Sequence, residues 1–126
     1  MQRTYFSFLL SIFISINFIF PASPNWDCDG DGYFDNVTNY ESSGSITAAV
    51  FIDGTNAGVS EGDILGAFIG DELRGVGVST SVPFGPYAGT YQFLTLIYSN
   101  QPSGETVTFK FYDIETDTVY DISETI

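Results

Sequence analysis

At 126 residues the chain is long enough for one domain with a modest core, and its 16 acidic residues against 3 basic ones give a net charge of −13. Such a surface repels nucleic acid and anionic membrane, and it suits divalent cations. With no histidine and one cysteine, Cys28, the commonest general base, a Cys–His pair and an intrachain disulfide framework are all excluded.

The first segment reads as an address. Arg3 precedes the sixteen-residue apolar run from Tyr5 to Phe20, and "PAS" at 21–23 offers small residues for cleavage. This is the pattern of a secretory signal peptide, so residues 1–23 are expected to be a leader and the protein to be secreted or held at the cell surface. An uncleaved signal anchor is the alternative, although sixteen helical residues reach only about 24 Å against a hydrocarbon core of about 30 Å. Membrane contact is expected only through this segment, and only if it stays uncleaved.

Residues 24–44 are expected to form an acidic linker. "WDCDGDGYFDNVTNYE" (26–41) places aspartates in alternation. With Asp27 as loop position 1, Asp29 falls at 3, Asp31 at 5, Gly32 at 6, Tyr33 at 7 and Asp35 at 9. A calcium loop uses carboxylates at 1, 3 and 5, a glycine at 6 for the bend, a backbone carbonyl at 7, and position 9 directly or through water. Calcium is therefore the expected cofactor, held by Asp27, Asp29, Asp31, the Tyr33 carbonyl and Asp35. Position 12 is Thr38, where a helix-loop-helix sensor has glutamate; Glu41 or water is left to close the shell. An Asp/Gly-rich turn that binds nothing is the alternative. The string "DCDGDGYFD" resembles the helix-free aspartate loops of thrombospondin type 3 repeats and, more loosely, of dockerins, which implies a structural ion rather than a switch. Asn36-Val37-Thr38 is a glycosylation sequon. Cys28 stands at position 2, pointing away from an ion, as a free thiol or as half of a bridge to another segment. "SSGS" (42–45) reads as a flexible joint.

From residue 45 to 126 the chain reads as strands. "ITAAVFID" (46–53) ends in the turn cluster "DGTNAG", and "GDILGAFIGDELRGVGVS" (62–79) is a hairpin about Gly70-Asp71. Gly66, Gly75 and Gly77 mark bulges or close approach to another layer. "VPFGPYAG" (82–89) connects to "TYQFLTLIYS" (90–99), apolar on both faces like a central strand. "ETVTFKFYD" (105–113) alternates cleanly, and "TVYDISETI" (118–126) returns after "IETD". No segment after the leader has a helical stripe. The fold class is therefore all-β, an antiparallel sandwich, with a small barrel as the alternative. Because the chain stops at Ile126 within strand-like sequence, it is expected to be a fragment of a longer protein.

The order GD-x-(I/L)-GAF-x-GDE-x-RG, then an apolar aromatic strand, then FKFYD…YD-x-x-ET resembles a β-sandwich module repeated in secreted and cell-surface proteins of Bacteroidetes and other marine organisms. That resemblance implies an exported multi-domain context and an adhesion-like role, with a cell-surface or matrix protein or a glycan as partner. It brings no catalytic residues. Glu61, Asp63, Asp71 and Glu72 sit at turn positions and read as solvated caps rather than a glycosidase pair. Asp113, Glu115 and Asp117 offer a weak second cation site or an ordinary turn. Trp26, Phe84, Tyr87 and Tyr112 are the rings that could face a sugar, with Phe84 and Tyr87 of "PFGPY" the best placed, although packing over the end of the sandwich is the plainer expectation for that pair. The expectation is a non-catalytic extracellular module for adhesion, display or spacing, with a carbohydrate-binding accessory module as the alternative.

Overall fold

A computed structural model describes residues 24–27 and 30–126; the expected leader, Cys28 and Asp29 lie outside them. After one 3-10 turn at Val37–Asn39 come eight strands: β1 (Ser42–Ala48), β2 (Phe51–Ile52), β3 (Thr55–Asn56), β4 (Ile64–Ile69), β5 (Glu72–Ser81), β6 (Tyr91–Ser99), β7 (Thr108–Asp113) and β8 (Thr118–Asp121). Six build one antiparallel sheet in the order β1-β6-β5-β4-β7-β8, and β2-β3 form a small second sheet. The protein is all-β and sandwich-like. No helix among the described residues is long and apolar enough to cross a membrane.

The β4–β5 hairpin turns at Gly70, whose φ of +61° supplies the left-handed first turn position. Its register slips between Ala67 and Phe68, so that Ala67 faces Gly75 and Phe68 faces Leu73, leaving Arg74 as the extra residue of a bulge. Gly75 is obligatory there, because a Cβ would collide with the Leu96 carbonyl oxygen of β6. The expected bulge and close approach are thus both present.

Strand alternation gives the sheet two apolar faces. One carries Leu65, Ala67, Phe93, Phe109 and Phe111, with Phe93 and Phe111 edge-on at 5.7 Å. The β2-β3 hairpin covers this face through Val50, Ile52 and Ala57. It turns at Asp53-Gly54, both at positive φ, as a two-residue hairpin requires. Asn56 fastens it: its side-chain amide donates to the Val50 and Tyr91 carbonyls, and its Oδ1 accepts the Tyr91 N–H at 2.8 Å. The opposite face carries Phe68, Val76 and Tyr112, and there the N-terminal segment lays down Trp26 and Phe34.

Three expectations change. "SSGS" is not a joint; it is the first half of β1, in continuous register with β6 from Ser42–Ser99 to Ala48–Phe93. "ITAAVFID" is not one strand; the chain leaves β1 at Ala48 and crosses to the second layer, burying Val50. β6 is buried along one face, and on the other only Tyr98 near its end is packed. Leu94 and Leu96 remain 63 % and 37 % exposed because the N-terminal segment covers the sheet around β4 and β5.

Candidate metal centre

Trp26 and Phe34 bracket the acidic loop and are nearly buried, Trp26 edge-on to Phe68 at 5.6 Å and Phe34 stacked on Tyr98 at 5.7 Å. Trp26 lies over Gly66, where a Cβ would press on the indole at 3.1 Å. This corrects the expectation of an exposed, sugar-facing Trp26; the other such ring, Tyr112, is likewise buried. Between the two anchors the described residues bend at two glycines. Gly30 and Gly32, at φ +73° and +84°, make the bends, and Gly32 rests against Val78 of β5.

The acidic segment gathers carboxylates. One oxygen each of Asp27, Asp31 and Asp35 lie within 4.8 Å of one another, a group that could hold a metal ion. Asp27 is tied from within: its Oδ1 accepts the Gly30 N–H at 3.0 Å and its Oδ2 the Gly32 N–H at 2.7 Å. Asp31 Oδ1 accepts the Tyr33 N–H at 2.9 Å. These bonds hold the Asp27 and Asp31 carboxylates in place within the group. At such a separation each pair repels by about 1 kcal/mol in a water-like dielectric, and by about 3–4 kcal/mol at the effective value near a protein surface. An all-oxygen set of this kind favours hard cations over zinc or copper.

Of the five residues expected to bind an ion, Asp27, Asp31 and Asp35 converge, Tyr33 lies between them with its ring exposed, and Asp29 is outside the described residues. Thr38 falls in the 3-10 turn, and Glu41 is not in the group; its N–H donates to Asn100 Oδ1 at 3.1 Å. Asn36 of the sequon is exposed.

The loop leads into a polar clamp with no obvious sequence signal. The Arg74 guanidinium, projected by the β5 bulge, lies 4.7 Å from the Tyr40 ring centre, bonds Glu72 at 2.6 Å and donates to the Tyr98 carbonyl at 3.2 Å. Glu105 stands 3.9 Å away. Tyr40 donates to Glu72 at 2.7 Å. The Tyr40 hydroxyl and then Arg74 hold the Glu72 carboxyl below its usual range, and the same hydrogen bond raises the Tyr40 phenol. Arg74 thereby joins the N-terminal segment, β5, β6 and the β6–β7 loop.

The remaining candidates separate. Asp113 caps its turn through the Glu115 N–H and Thr116 hydroxyl, Glu115 accepts from Ser60, and Asp117 accepts from Tyr112, so this turn is an ordinary, internally bonded one. Asp63 is not a solvated cap: it is buried. Phe84 and Tyr87 are 81 % and 66 % exposed on a loop closed by Val82–Thr90, Gly89–Val82 and Ala88–Gly85 backbone bonds. Two rings on a fastened loop offer flat apolar faces for stacking. No protein-family model, curated protein or solved structure matches the chain.

Proposed function

We propose that the protein is a secreted, non-catalytic β-sandwich module whose N-terminal loop binds calcium structurally, serving adhesion, surface display or spacing in a larger extracellular protein. The observation that carries this reading is the convergence of Asp27, Asp31 and Asp35, the first and last of which adjoin Trp26 and Phe34, two rings seated in the core. Carboxylates held together against their repulsion on a seated loop suit a flexible oxygen shell, and extracellular modules bind calcium at about 10⁻⁴–10⁻³ M. Export rests on the apolar run after Arg3, and the lack of histidine supports a non-catalytic role. Trp26, the only tryptophan, adjoins Asp27 and is a built-in reporter. Calcium titration of the protein, followed by calorimetry and by Trp26 emission, is expected to give one saturable site that magnesium fills far more weakly. No heat and no spectral change at millimolar calcium would refute it.

A second reading, a carbohydrate-binding accessory module, is favoured by the exposure of Phe84 and Tyr87. Its expected signature is glycan-array binding that Tyr87→Ala abolishes while the calcium response is retained.

A further inference from the structure

The two outer strands of the six-stranded sheet are built differently. β8 is four residues long, is flanked by Asp117, ends in Asp121, and pairs Asp121 with Lys110 at 3.8 Å. β1 is seven residues long, keeps register with β6 without a break, and contains no charge, proline or bulge. Charges, prolines and bulges are the devices that stop an edge strand's unpaired N–H and C=O groups from templating another strand. Among the described residues, β1 pairs with β6 alone, so its outer backbone groups face away from the sheet.

We propose that β1 is a self-association edge, at which a second copy of this chain pairs antiparallel about a two-fold axis through Ser45, joining two sheets into one. Charge argues for a second copy at this place. The chain carries −13, yet residues 42–52 and 75–104 contain no charged side chain, so β1, β6 and most of β5 carry no charge of their own, with acids nearby at Asp121 and Glu124 in the cavity on the core face and at Glu105 beside the start of β1. Pairing about Ser45 sets Ile46 of each copy opposite Gly44 of the other, large against small on the core face. On the opposite face it sets Ser43 against Thr47 and Ser45 against itself. The two Glu41 side chains then stand at opposite ends of the paired strands. The acidic loops, which rest on β5 at Val78, are separated by five strand spacings, about 24 Å, well beyond a Debye length of about 8 Å. Apolar side chains wait on both faces beside the edge. Leu94, across from Thr47, is 63 % exposed, and Phe51, which lines a cavity with Ile46 and Ala48, is 61 % exposed.

The inference does not depend on the metal. Its test is sedimentation of the protein under reducing conditions, which removes any Cys28 bridge. Wild type is expected to show a reversible monomer–dimer equilibrium between micromolar and millimolar concentration. Ser45→Lys and Ser45→Glu each place like charges face to face on the axis and are expected to weaken association by about tenfold or more, since such juxtaposition costs several kcal/mol. Ser45 is exposed, so both variants should keep the wild-type far-ultraviolet spectrum. An equimolar mixture of the two is expected to recover dimer as a one-to-one hybrid. Wild type that stays monomeric, a dimer indifferent to Ser45, or a mixture that fails to recover would each overturn the proposal.

Discussion

Asp63 is the clearest single residue whose role lies in burial rather than in its place along the chain. Only 4 % exposed, it accepts the Ile114 N–H at 3.0 Å and the Ser60 N–H at 3.2 Å, tying the loop before β4 to the β7–β8 turn. Burial raises its carboxyl above the usual value, outweighing the two backbone donors that lower it, and Asp113 and Glu115 add a smaller like-charge push upward. The folded state therefore holds this proton more tightly than the unfolded chain does. Stability from this group is fully present below the unfolded value of about 3.9, and it is lost as pH rises through the raised folded value. Asp63→Asn turns an N–H₂ toward one of the two backbone donors and leaves it unpaired, which is expected to cost about 1–3 kcal/mol. Urea unfolding of both proteins from about pH 7 down to about pH 3 should show the wild-type advantage widening as pH falls. An advantage that shrinks on acidification would contradict the assigned direction.

At the scale of elements, the unexpected feature is that the acidic segment belongs to the sandwich. Rings such as Trp26 and Phe34 bury about 150–250 Å² each, worth roughly 4–6 kcal/mol apiece at about 25 cal/mol per Å² before ordering costs. On the proposed reading a millimolar calcium ion would contribute less than that, so packing rather than an ion seats the loop. The β4–β5 hairpin was legible because Gly70 can supply a positive φ between two apolar runs, and β7 because Phe109 and Phe111 alternate with Lys110. The three converging aspartates were legible from spacing with Gly32. What spacing along the chain does not encode is contact between distant segments. Nothing local to Trp26 announces Gly66 as its floor, and although Gly75 hints at a bulge, nothing local to Arg74 announces that the bulge points it at Tyr40. "SSGS" misleads for a related reason: small polar residues suit a flexible joint, but pairing with β6 overrides that propensity and makes them an edge strand.

For the whole molecule, the proposed calcium site sets carboxylate repulsion against ion binding, and it predicts a calcium-dependent change in the effect of one substitution. Asp31→Asn keeps an oxygen to accept the Tyr33 N–H, so the local bond survives. It removes two of the three carboxylate repulsions in the group, about 1 kcal/mol each in a water-like dielectric. In chelator the variant should therefore be the more stable protein, by about 1–2 kcal/mol. In calcium that advantage should shrink by at least about 1 kcal/mol, and invert if the site is at the tight end of its range. A site with a dissociation constant of about 10⁻⁴–10⁻³ M gains about 1.4–2.7 kcal/mol at about 10 mM calcium, because the ion binds the folded loop and not the unfolded chain. The variant loses most of that gain with its missing carboxylate. Urea denaturation followed by Trp26 emission, with chelator and with calcium at matched ionic strength, measures both halves. Matching matters because monovalent salt alone screens the −13 charge and stabilises both proteins. A variant less stable in both conditions would mean that Asp31 supports the fold through contacts the asparagine cannot keep. A variant whose advantage is the same in chelator and in calcium would mean that the aspartates gather no ion, and that their repulsion is a standing cost of the loop.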